Sequence, residues 1–127
     1  MKRINEAIKN NTYSRVYLLY GPESFLRLSY TKKLCDAILP ESDSMNRVSF
    51  EGDKTTETAI IDFAETMPFF AERRLIRVKD SGFFKSAVEL LPDYMSRIPD
   101  YAVIVFSETE ADKRNKLYKA VQKYGYD

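Results

Sequence analysis

Histidine is absent from this 127-residue chain, and cysteine occurs once, at Cys35. Without imidazole, most zinc sites and the usual Ser-His or Cys-His nucleophilic machinery have no raw material. A single thiol rules out an internal disulfide, suits a reducing cytoplasm, and reads most simply as a core residue. An excess of one charge is also missing: 20 basic and 19 acidic side chains leave a net charge of +1. That excludes the broad positive field behind non-specific nucleic-acid binding, though not a local basic patch. No apolar run approaches a membrane span, and Ile4 to Asn11 is too polar for the core of a signal peptide. Internal repeats and low-complexity tracts are absent as well.

What is present suits one soluble domain over residues 1–127, with no room for a linker or a second domain. The chain is 44% hydrophobic, 13% aromatic and 31% charged, and a domain of this size buries roughly two-thirds of its unfolded surface. It stops at Gly125, Tyr126 and Asp127, just after a helix-like pattern with glycine at a capping position, where a further strand could begin. The expectation is a part of a longer protein.

Residues 3–10 place Ile4, Ala7 and Ile8 at helical spacing. Residues 15–20 form a continuous apolar run, the pattern of a central strand buried on both faces of a parallel sheet. Residues 25–39 read as an amphipathic helix with Leu26, Tyr30, Leu34 and Ile38 in one row and Cys35 and Leu39 beside it. Residues 47–50 alternate, as a short edge strand does. Asp53 is a cap candidate for the next helix, whose stripe is Ile60, Phe63, Ala64 and Met67 and whose end is Pro68. Residues 74–79 predict a third strand, between edge and centre. Residues 83–98 read as helical in parts, with Pro92 opening a second short helix and Leu91, Tyr94, Met95 and Ile98 as its apolar face. Residues 101–106 are a second fully apolar strand, the natural neighbour of the first. Residues 111–124 make a last helix with Leu117, Val121 and Tyr124 facing in. This alternation predicts a layered α/β domain with a mostly parallel sheet and right-handed crossovers.

An apolar strand that ends in glycine and leads into a helix is where phosphate-binding NTPases carry their glycine-rich loop. Counted from Gly21, that motif needs Gly, Lys and Ser or Thr where this chain has Leu26, Arg27 and Leu28. Leu26 lacks glycine's backbone freedom, Leu28 has no hydroxyl for magnesium, and Glu23 sets a negative charge beside the would-be phosphates. The remaining reading is a nucleotide-binding architecture without ATP hydrolysis, catalytic residues or a cofactor. Asp80, at the end of the third strand, stands where a magnesium-organising carboxylate could sit, but alone it reads as a turn residue.

Residues 66–79 pose the sharpest question. Phe69 and Phe70 follow Pro68 directly and precede a charged cluster, at a loop position that is normally polar and superficial. Either the two rings pack into the core, as large aromatics usually do, or they face a partner.

Three blocks carry a resemblance: Tyr17 to Leu26 (YLLYGPESFL), Met67 to Ile76 (MPFFAERRLI) and Asp112 to Lys119 (DKRNKLYK). Together, in this order and spacing over essentially the whole chain, they resemble the N-terminal domain of the delta subunit of bacterial DNA polymerase III, a clamp-loader family. The resemblance implies a three-layer AAA+-like fold with sheet order 5-1-4-3-2, its fifth strand just beyond Asp127, and lid and collar domains outside this chain. It further implies a subunit without its own ATPase that works in DNA replication by binding and opening the ring-shaped sliding clamp alongside other loader subunits. By the same resemblance, Phe69 and Phe70 are the hydrophobic plug that enters a pocket on the clamp, with Met67 and Pro68 shaping the approach. Arg73 and Arg74 follow where the family is often basic, and no contact is assigned to them. Lys113, Arg114, Lys116, Lys119 and Lys123 give the last helix a basic face. Its plain reading is a solvated surface; the sharper one is contact with a neighbouring loader subunit or with DNA phosphates. The competing classes are thus an interaction module, an active P-loop ATPase and a nucleic-acid-binding domain.

Overall fold

Successive residues of a strand point to opposite faces of its sheet, and three of the four strands here are apolar on both. The computed structural model, which describes residues 2–125, therefore shows a sheet covered on each side. The elements are α1 (Lys2–Asn10), β1 (Val16–Tyr20), α2 (Ser24–Ile38), β2 (Arg47–Glu51), α3 (Glu57–Glu65), β3 (Arg74–Lys79), α4 (Leu91–Tyr94), β4 (Ala102–Glu108) and α5 (Lys116–Tyr124).

All four strands are parallel, in the order β1-β4-β3-β2. Register pairs Leu18 with Phe106, Ile76 with Ile104 and Val48 with Ile76. On one face Val16, Leu18, Ile76, Val78, Ile104 and Phe106 meet Ile60 and Ala64 of α3, Leu91 and Tyr94 of α4, and Leu117 and Val121 of α5. On the other, Tyr17, Leu19, Leu75, Val103 and Val105 meet Ile4 of α1 and Leu34, Cys35 and Ile38 of α2. This is the expected three-layer α/β architecture, with β1 and β4 as neighbours and β2 as a half-exposed edge; β1, expected to be central, is the other end strand among the described residues. Cys35 is in the core, where burial pushes its thiol up to about 11. The fifth strand expected beyond Asp127 lies outside the described residues.

Several local expectations are corrected. In α2 the inward stripe is Arg27, Thr31, Leu34, Cys35 and Ile38, whereas Leu26 is 53% exposed and Tyr30 half-buried. Residues four apart precess by about 40° per step on a helix of 3.6 residues per turn, so a row begun at Ile38 has left the core by Leu26. The helix α3 stops at Glu65, because Thr66 is already extended and a residue before proline, here Met67, is disfavoured in helical geometry. Its cap is Thr56, not Asp53; the Thr56 hydroxyl accepts the Ala59 N–H at 3.2 Å.

Residues 83–90 are turns rather than helix. They nonetheless bury Phe83 and Phe84, the latter edge-on to Phe106 with ring centroids 5.0 Å apart. Pro92 does open the short α4. The last helix starts at Lys116, not at residue 111, because the Asn115 side chain caps it by accepting the Tyr118 N–H at 3.1 Å. Tyr118, not Tyr124, completes its inward face.

The C-terminal end of α5 is seated on β1 through Gly125, whose N–H donates to Val121 at 2.8 Å. A Cβ there would overlap the side chain and the carbonyl oxygen of Val16. Gly125→Ala is therefore expected to destabilise the fold by about 1–3 kcal/mol, read as a lower urea midpoint. An unchanged midpoint would mean that α5 and β1 do not approach so closely.

Candidate functional site

The connection from α3 to β3 is held at both ends by side chains that belong to the sheet. Arg74, first residue of β3, is buried and turns back toward α3. Its Nε donates to Phe63 O at 3.0 Å, a second nitrogen reaches Met67 O at 3.4 Å, and the guanidinium lies 3.7 Å from the centroid of the Phe63 ring. The Phe63 carbonyl, in the last turn of α3, is thus met by a cation as well as by the Thr66 N–H, and a cation is the charge that the negative end of the helix dipole favours. Ahead of β2, the buried Asn46 accepts the Phe69 N–H on Oδ1 at 2.6 Å and donates through Nδ2 to Phe69 O at 2.8 Å.

Between these two anchors the chain turns outward. Phe70 has φ of 55° and is 94% exposed; Phe69 is 54% exposed and meets it edge-on at 4.5 Å between centroids. Met67 is 75% exposed, and Pro68 is half-buried. The structure therefore brings Met67, Pro68, Phe69 and Phe70 together as one apolar tip, and the core-packed alternative for the phenylalanine pair does not hold. Arg73 is engaged elsewhere, donating to Asn11 O at 3.2 Å and lying 4.9 Å from the centroid of the Tyr13 ring. Both arginines thus bond the protein itself in this arrangement.

The opposite rim of the sheet, at the carboxyl ends of the strands, carries the segment from Gly21 to Leu28 that leads from β1 into α2. A cavity of about 480 Å³ is lined there by Tyr20, Leu26, Arg27 and Tyr30 among others. Arg27 turns inward, donating from Nε to Ser107 Oγ at 3.1 Å and from Nη1 to Gly21 O at 2.5 Å, with Asp80 3.8 Å from its other nitrogen. Asp80 also accepts the Thr109 hydroxyl at 3.0 Å. The residue in the place of the motif lysine is thus already committed to protein oxygens.

Next to it, Glu108 ends β4 almost wholly buried. Its carboxylate accepts the Ser81 N–H at 3.1 Å, the Ser81 hydroxyl at 3.1 Å and the Gly82 N–H at 3.0 Å.

The basic face is smaller than expected. Lys116, Lys119 and Lys123 are exposed on α5, but Lys113 and Arg114 lie in the turn before it, where Arg114 closes on Asp112 at 3.0 Å.

A sequence profile described as DNA polymerase III, delta subunit, matches residues 17–125, well over half of the chain. The chain belongs to the DNA polymerase III delta-subunit family. DNA polymerase III subunit delta of Bacillus subtilis (strain 168) is 28% identical over 133 residues, covering 95% of this chain and 38% of the relative. The solved Bacillus subtilis DNA clamp loader delta protein superposes with a TM-score of 0.85 at 28% identity, covering 98% of this chain and 40% of that one. A DNA polymerase III gamma subunit-related protein from Thermotoga maritima matches at a TM-score of 0.65 and 14% identity, over 99% of this chain and 44% of that one, a likeness of fold alone. The chain spans about two-fifths of the length of the delta-subunit relatives.

For a delta-subunit domain, the apolar tip is the residue group that sequence reasoning singled out. Two of its supports were missed. Arg74 is visible only as part of a basic run, and Asn46 precedes a weak edge strand 23 residues from Phe69. No local signal connects Asn46 to the tip, because sheet pairing is what brings them together.

Burial pushes the Glu108 carboxyl above its ordinary 4.5, and its hydrogen bonds with Ser81 and Gly82 only partly oppose this. The folded state thus holds this proton more tightly than the unfolded chain does. The group's contribution is complete below the unfolded value and is lost as pH rises through the folded one. The stability of the wild type relative to Glu108→Gln is expected to fall as pH is raised from about 4 toward 7. Urea denaturation across that range checks it; parallel profiles for the two proteins would show that the carboxyl is not raised.

Proposed function

We propose that this chain is the clamp-binding domain of a clamp-loader delta subunit, and that Phe69 and Phe70 plug an apolar pocket on the sliding clamp. The observation that carries this reading is the exposure of two adjacent phenylalanines on a turn whose backbone is tied down. Contiguous apolar surface at such a position marks an interaction site, and a fixed turn lowers the ordering cost of association. Membership of the delta-subunit family supports it, as does the likeness to a solved protein described as a clamp loader delta protein. Full burial contributes roughly 1.5–3 kcal/mol per ring, enough for a hot spot but short of tight binding alone. Met67 and Pro68 shape the approach to the pocket, and further contacts come from the adjoining helix.

In this reading the domain acts without hydrolysing ATP, since Leu26 and Leu28 lack the chemistry of a phosphate loop and Arg27 is paired with the protein itself. Lid and collar domains outside this chain would carry assembly with the other loader subunits. No helix among the described residues is long and apolar enough to cross a membrane.

Changing Phe69 and Phe70 together to alanine is expected to weaken binding to the sliding clamp by on the order of 100-fold. Both rings are exposed, so the urea midpoint should barely move. Wild-type affinity in a folded double variant would sink the reading. Separately, MgATP should leave the thermal midpoint unchanged over a concentration series; a rise that grows with nucleotide would show a working nucleotide site.

A further inference from the structure

An exposed phenylalanine pair has a problem that its own sequence does not solve. Phe70 sits in the left-handed region at φ of 55°, which bulky residues seldom adopt. With no other constraint, two large rings on a loop would fold against the nearest apolar surface. Something must hold the main chain while leaving both rings free.

Asn46 has the geometry for that task. Its main chain is rooted in the sheet, where its carbonyl accepts the Leu75 N–H at 2.8 Å. Its side-chain amide meets both main-chain groups of Phe69, as a strand neighbour would, without touching the rings' freedom. The amide is held in turn by Asp43, whose carboxylate oxygens lie 3.2 and 3.1 Å from Nδ2. A carboxylate only accepts, so Nδ2 must face Asp43 and Oδ1 must face the Phe69 N–H. The same carboxylate accepts the N–H groups of Met45 and Asn46 at 3.2 and 3.1 Å, which closes the turn before β2 around it.

We infer that Asn46, oriented by Asp43, is the positioning residue of the docking turn, holding Phe69 so that both rings stand ready for the clamp. The inference rests on the reading of Phe69 and Phe70 as the docking pair. Its consequence is a population effect: if the turn is free to leave the competent conformation, apparent affinity falls in proportion to the fraction that remains competent. Asn46 touches no partner and contributes only through the geometry of Phe69.

The test is a double-variant cycle on the chain, with the sliding clamp as probe and amide hydrogen exchange at Phe69 as a second readout. Asn46→Ala is expected to weaken clamp binding about tenfold. The Phe69 amide should lose protection while the amides of β3 and β4 keep theirs. In a Phe69→Ala background the same substitution should cost about twofold or less, because the ring whose main chain Asn46 positions is gone. Asp43→Ala leaves Asn46 in place but releases its amide, and should give a smaller loss in the same direction; it takes over the cycle if Asn46→Ala does not fold. Equal losses in both backgrounds would make Asn46 merely structural and overturn the inference. Unchanged clamp affinity in the variant that folds would overturn it while leaving the docking reading intact. If replacing both phenylalanines leaves clamp binding unchanged, the docking reading falls and this inference falls with it.

Discussion

A parallel sheet has to be covered on both faces, and every residue of β4 is buried. From that constraint the rest of the domain follows. Crossovers between parallel strands need helices, and the helices divide into two layers. On one side α1 and α2 cover Tyr17, Leu19, Val103 and Val105; on the other α3, α4 and α5 cover Leu18, Ile104 and Phe106. With both faces occupied, the sheet itself can present side chains only at the rims where strands meet their connections and at its edges.

The two rims are used differently. At the carboxyl rim, Arg27 and Glu108 are turned inward onto Gly21, Ser107, Ser81 and Gly82. Buried charges are costly unless hydrogen-bonded, so these side chains are committed to internal partners. At the amino rim the polar groups are also satisfied internally: Arg74 meets the end of α3, and Asn46 meets Phe69. Here, however, the satisfied main chain leaves its apolar side chains outside. The same rule, that buried polar groups find partners, closes a surface at one rim and displays one at the other.

At the amino rim the apolar tip depends on the backbone that carries it. Phe70 at 94% exposure is a working surface only if the backbone beneath it is held. The α3 terminus fixed by Arg74 and the Phe69 backbone fixed by Asn46 supply that support from the starts of two neighbouring strands, β3 and β2. At the carboxyl rim, by contrast, Arg27 is turned onto Gly21, Ser107 and Asp80.

Much of this was legible in the chain itself. Residues 15–20 and 101–106 had to be buried strands, since apolar runs of that length need cover on both faces; β4 is interior, whereas β1, expected to be central, ends the described sheet. Pro68 marked the neighbourhood of a helix end, which falls earlier, at Glu65, and the pairing of Leu26 with Leu28 around Arg27 already removed the hydroxyl and the glycine that phosphate chemistry needs. The oddity of Phe69 and Phe70 was visible too, because a proline, two aromatics and a charged cluster make no ordinary surface loop. What periodicity could not supply was the rotation of α2 that turns Arg27 inward and Leu26 outward. Nor could it supply the late start of α5 that removes Lys113 and Arg114 from its basic face. Whether the phenylalanine rings pointed in or out, and that the Asn46 amide would bond the Phe69 main chain, depended on the pairing of β2 with β3. That pairing joins residues more than twenty positions apart, and no local pattern encodes a contact that exists only once the sheet has formed.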